Sequence, residues 1–72
     1  MALIEHSSEE RLRREDAAQR LRDLADELSR QNEVSFVKEG MRITVPVPDE
    51  VVLHVEVEVG GDENEIEIEI TW

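Results

Sequence analysis

The sequence predicts an α+β fold of two layers, one amphipathic helix packed on a four- to five-stranded antiparallel sheet in the order (β)αββββ. Three observations carry this. Apolar side chains recur at helical spacing over residues 13–31, the period falls to two after Glu33, and Gly- and Pro-containing turns divide the remainder into short alternating runs. With 72 residues the chain is one domain, 1–72, without internal repeat, linker or low-complexity tract. A chain of this size buries only about 60% of the surface that its unfolded form exposes, so one thin core is expected and no deep substrate cavity.

The helix comes first. Placed at 100° per residue, Ala17, Leu21, Leu24, Ala25, Leu28 and Ala18 fall within about 120° of one another, with Glu15, Gln19, Asp23, Asp26 and Arg30 opposite. Leu12 lies off this stripe, so the helix begins just after it and Leu12 packs back on Ala17 as a hydrophobic staple. Ser7 with Glu10 has capping-box spacing and offers an earlier start. Glu15 and Asp16 in the first turn and Arg30 in the last complement the macrodipole. Arg22 with Asp26 is an exposed ion pair at helical spacing, worth a few tenths of a kcal/mol.

Strands follow. Residues 34–38 and 41–45 flank Glu39-Gly40, a two-residue connection whose glycine supplies positive φ. Pro46 and Pro48 remove backbone donors and make 46–49 a loop or sheet edge. Residues 50–59 and 64–72 then alternate most clearly. Leu53, Val55, Val57, Val59, Ile66, Ile68, Ile70 and Trp72 share one face, and His54, Glu56, Glu58, Glu65, Glu67, Glu69 and Thr71 the other. Residues 60–63, Gly-Gly-Asp-Glu, make a turn longer than the minimal hairpin. Residues 2–6 add a short first strand, joined to 34–38 by a right-handed crossover if the two are parallel. The expected core is Leu21, Leu24, Leu28, Phe36, Met41, Ile43, Leu53, Val55, Val57, Ile66, Ile68 and Ile70. One helix cannot roof the whole long hairpin, so a second copy is expected to close the remaining apolar strip or an open strand edge.

Charge says more about surroundings than about chemistry. Nineteen acids oppose eight bases, for a net charge of −11, and all the bases but Lys38 are arginine. Residues 33–72 hold eleven of the acids and two bases. Such crowding destabilises a compact fold in dilute buffer and is relieved when molar salt shortens the Debye length to about 3 Å. The composition therefore reads as adaptation to very high salt. It also repels phosphate backbones, which makes nucleic acid an unfavoured partner. With no cysteine, no disulfide or thiolate metal site is available, and apolar runs of three residues exclude a membrane-spanning helix. A cytoplasmic setting is expected.

The last segment, Glu65-Ile-Glu-Ile-Glu-Ile-Thr-Trp72, with Arg14-Glu-Asp-Ala-Ala18 and Leu21-Arg-Asp-Leu-Ala25 upstream, resembles the amphi-Trp domain family over residues 12–72. These are small archaeal and bacterial proteins or appended domains named for an amphipathic segment ending in Trp. Family members often place a Ser or Thr cap before the helix, where this chain has Arg13. The resemblance implies the fold and a halophilic archaeal setting, and no established activity.

No residue set announces catalysis, and no enzyme activity is expected. Neither a nucleophile with its base nor a glycine-rich phosphate loop is present, and Gly60-Gly61 is followed by acids. His54, Glu56 and Glu58 beside Glu65, Glu67 and Glu69 offer hard oxygen ligands, but a flat row attracts diffuse cations and lacks the concave cage of a selective site. No metal or cofactor is assigned. Trp72 closes the end of the core on its parity, or, left exposed beside an uncovered strip, anchors a partner. The leading reading is a non-catalytic interaction module that binds an unidentified protein or itself through Trp72, Phe36 and Val37, with no small-molecule substrate evident. The alternative is nucleic-acid binding or regulation through Arg13, Arg14, Arg20 and Arg22, followed by weak divalent-cation binding on the acidic face.

Overall fold

A computed structural model describes residues 4–72, in the order α1 (Arg14–Gln31), β1 (Glu33–Lys38), β2 (Met41–Pro46), β3 (Val52–Gly60) and β4 (Glu63–Thr71). The helix begins two residues after Leu12, with Arg13 as its extended N-cap. The Arg13 carbonyl accepts from Asp16 N–H and Ala17 N–H, both at 3.0 Å, but its side chain caps nothing. Serine at this position would satisfy an orphan amide, so Arg13→Ser should raise stability by about 1 kcal/mol. Thermal unfolding at molar KCl checks this, and an unchanged midpoint contradicts it. At the other end Asn32 turns left-handed (φ 56°), a conformation that its short amide side chain tolerates, and its carbonyl accepts from Val47 N–H at 2.9 Å. That bond ties the end of the first hairpin to the end of the helix.

In this first hairpin Lys38 pairs with Met41, and both connecting residues, Glu39 (φ 52°) and Gly40 (φ 77°), are left-handed. This is the primed two-residue turn that matches strand twist, although only its second position is the glycine that the geometry favours. The second hairpin pairs Gly60 with Glu63, so its turn is Gly61-Asp62 alone and is shorter than the alternation suggests.

The four strands do not join into one sheet. β1 pairs only with β2 and β3 only with β4, each antiparallel, giving two two-stranded sheets. Pro46 ends β2 and Pro48 adds a second residue without a donor, which breaks the pairing, and beyond the break the chain leaves the first sheet instead of adding β3 to it. At the far edge of β1, α1 supplies a partner for one backbone amide, the Glu27 carboxylate that accepts from Ser35 N–H. No first strand appears at Ile4–His6, and the rest of the expected 2–6 strand lies outside the described residues.

The expected core is also corrected. Among the described residues none is fully buried. Leu28, Phe36, Ile43 and Ile70 are half-buried, as are Ala18, Val34, Val45 and Val47, whereas Leu21, Leu24, Met41, Leu53, Val55, Val57, Ile66 and Ile68 are exposed. The reason is placement. α1 packs on β1, while the β3–β4 hairpin makes no close backbone approach to it, borders it across open grooves beside Val51, Ile68, Ile70 and Trp72, and projects onward into solvent.

Candidate functional site

Where the base of the second hairpin meets the helix, Leu21, Leu24 and Leu28 of α1 face Val34 of β1 and Ile68, Ile70 and Trp72 at the end of the chain. Together they line an open groove of about 270 Å³. Each member arrives by a simple periodicity. The leucines share the helical stripe, and Ile68, Ile70 and Trp72 share one face of an alternating strand. Trp72 is 59% exposed, so it sits at the groove without plugging it. Beyond the groove the same face continues outward along the hairpin through the cross-strand pairs Val55–Ile68 and Val57–Ile66.

Phe36 and Val37, the other expected contacts, are not brought together, because neighbours on a strand point to opposite faces. Phe36 is half-buried with the His6 ring stacked on it, centroids 4.8 Å apart at 17°. Lys38, on that same face, donates from Nζ to the Glu5 carbonyl. The segment before the helix therefore covers this side of β1. Val37 stands exposed on the other side, away from Trp72's groove.

The helix and first sheet are joined by a polar tie. Glu27 Oε1 accepts from the Ser35 backbone N–H at 2.6 Å and from the Ser35 hydroxyl at 3.0 Å, and Arg42 donates to that hydroxyl oxygen at 3.1 Å. The bond to the backbone satisfies an N–H on the edge of β1 that faces away from β2. Glu27 precedes Leu28 at the border of the apolar stripe, where hydrophobic periodicity carries no mark of it; its one sequence signal is an acid at the border of a stripe that packs on a strand.

The four candidate arginines do not form a patch. Arg13 precedes the helix, and Arg14, Arg20 and Arg22 are spread around it at 100° per residue. Arg14 pairs with Glu15 at 3.2 Å, and Arg20 grips Glu10 with both guanidinium nitrogens at 3.1 Å. That fork was not legible in the sequence, because the two residues are ten apart and Glu10 lies before the helix. The expected Arg22–Asp26 pair does not occur among the ion pairs of the described residues.

On the acidic face of the second hairpin, Glu56 lies opposite Glu67 and Glu58 opposite Glu65, while His54 faces Glu69 and places Nε2 3.6 Å from Glu56 Oε2. Among the described residues no three His, Asp or Glu converge as metal ligands. No described helix is long and apolar enough to cross a membrane.

An alternating acidic strand ending in Trp, behind one amphipathic helix, is the architecture on which the family comparison bears. The model of the Amphi-Trp domain matches residues 2–72, essentially the whole chain. The chain belongs to the Amphi-Trp domain family. The match includes residues 2–11, ahead of the 12–72 span over which the sequence shows its resemblance, and so takes in Glu5, His6 and Glu10, which this Amphi-Trp domain uses against Lys38, Phe36 and Arg20. No curated protein and no solved structure matches the chain.

Proposed function

We propose that this Amphi-Trp domain is a non-catalytic interaction module of a salt-rich archaeal cytoplasm, binding protein through the apolar groove and the face that extends from it. The observation that carries the reading is the half-open convergence of seven apolar side chains from three elements, with an exposed tryptophan among them. Trp is enriched at interface hot spots because it contributes a large, rigid contact area at small entropic cost. Catalysis has no comparable support, since a reaction needs groups held in a sheltered pocket, and the groove's lining residues are all apolar.

Trp72→Ala tests this, with the helix followed by circular dichroism at high protein concentration and association by light scattering, both in molar KCl. The helix signal should persist while association weakens about 30-fold, the loss expected for an anchor worth about 2 kcal/mol. A helix that melts on substitution would make Trp72 a plug of the fold and remove the reading.

A further inference from the structure

We infer that the occupant of the open face is a second copy of this chain, whose β3–β4 hairpin stacks its apolar side on that of the first across a two-fold axis. The inference rests on the interaction reading above and names its partner. Its first ground is area. The chain exposes 7024 Å², whereas a compact monomer of its 8.3 kDa exposes about 4,600 Å². The radius of gyration, 14.2 Å, likewise exceeds the roughly 11 Å of a compact domain of this length. The excess surface, about 2,400 Å², is spread over the whole chain, the exposed segment before the helix included, and it exceeds the roughly 800 Å² that each partner of a standard interface contributes.

The second ground is that the hairpin lacks what keeps an isolated hairpin folded. Two strands alone are marginal in water, and here Glu56–Glu67 and Glu58–Glu65 set like charges directly opposite each other. The stabilisation has to come from the other side, where Val57, Val59 and Ile66 are 65%, 81% and 71% exposed. A second copy of the chain is a cover present at the chain's own concentration.

The third ground is complementarity. A two-fold interface requires a patch that fits itself. The apolar face carries no charge to repel its equal, and stacking it leaves every carboxylate of the opposite face in solvent. Pairing edge to edge would leave the apolar face open and bring Glu65, Glu67 and Glu69 beside the same residues of the copy. A basic partner would be drawn to the carboxylates and leave the apolar side uncovered.

Sedimentation and thermal unfolding of the full chain in 2–3 M KCl decide the matter. The expected result is a mass twice the 8.3 kDa of one chain, with a midpoint that rises by about 4 °C for each tenfold increase in protein concentration, as coupled folding and association require. Val57→Glu should weaken the dimer at least tenfold, while Glu56→Gln, on the carboxylate face, should leave it intact. A monomeric wild-type chain with a concentration-independent midpoint overturns the inference even if Val57→Glu merely fails to fold. Equilibrium dialysis of such a monomer against the apolar dye bis-ANS then separates the two readings. Uptake would leave the interaction surface standing with another occupant, and no uptake would remove both.

Discussion

In 10 mM salt at neutral pH the chain should be less stable by about 2 kcal/mol than in 2 M KCl, enough to lose most of its helical and strand signal if net stability is as small as the shallow burial implies. The net charge is −11, and the second hairpin alone stacks Glu56 against Glu67 and Glu58 against Glu65. Each opposed pair is unfavourable by about 0.2–1 kcal/mol at low ionic strength, and the rest of the acidic field adds to it. Raising the salt shortens the Debye length from about 30 Å to less than about 3 Å and silences all but the nearest of these repulsions. Circular dichroism across a KCl series reads the effect directly. Potassium chloride also strengthens apolar burial, so a charge variant is needed to separate the two causes. Glu65→Lys with Glu67→Lys places cations opposite Glu58 and Glu56 and should recover about 1–2 kcal/mol in dilute buffer while flattening the salt response. Equal stability of the wild-type chain at both salt concentrations would exclude adaptation to brine.

Glu27→Ala should destabilise the chain by about 2 kcal/mol. The Glu27 carboxylate is half-buried and takes two bonds from Ser35, one of them from a backbone N–H that has no strand beside it. Hydrogen bonds to an ionised acceptor contribute about 1.5–3 kcal/mol, and the partial exposure of the group places the value toward the lower half of that range. Removing the acceptor also leaves the edge amide unpaired under the helix. Ser35→Ala removes the hydroxyl bond but keeps the amide bond, so it should be milder, about 1 kcal/mol. The double variant should fall short of the sum of the two, since the residues are in direct contact. Denaturant unfolding at constant molar salt supplies all three values, and a Glu27→Ala variant within 0.5 kcal/mol of wild type would mean that apolar packing alone holds α1 to β1.

Much of the secondary structure follows from local pattern. The helix start next to Leu12, the left-handed glycine at position 40 and the segregation of Ile66, Ile68 and Ile70 from Glu65, Glu67 and Glu69 each depend on residues within a turn or a strand, and each is legible in the sequence. The layer arrangement is not local. Alternation says which side of β3 and β4 is apolar but not what covers it, and that depends on the direction in which residues 46–51 send the chain. Pro46 and Pro48 mark a break in pairing, yet a break is compatible with a strand rejoining the same sheet or leaving it. The site was half visible for a similar reason. Trp72 and the helical leucines declare themselves by periodicity, whereas Glu27 on Ser35, His6 on Phe36 and Glu10 on Arg20 join residues at separations that no helix or strand repeat relates.

Trp72 is the sole tryptophan of a chain that has no tyrosine, and it stands at the mouth of the groove with more than half of its surface in solvent. Its near-ultraviolet absorption and emission therefore report a single indole at the very place where anything seated there would exclude water. The molecule carries a label-free optical gauge of whether its groove is filled, and the colour of that emission, red-shifted when wet and blue-shifted when covered, can be followed from dilute buffer to brine without altering a residue.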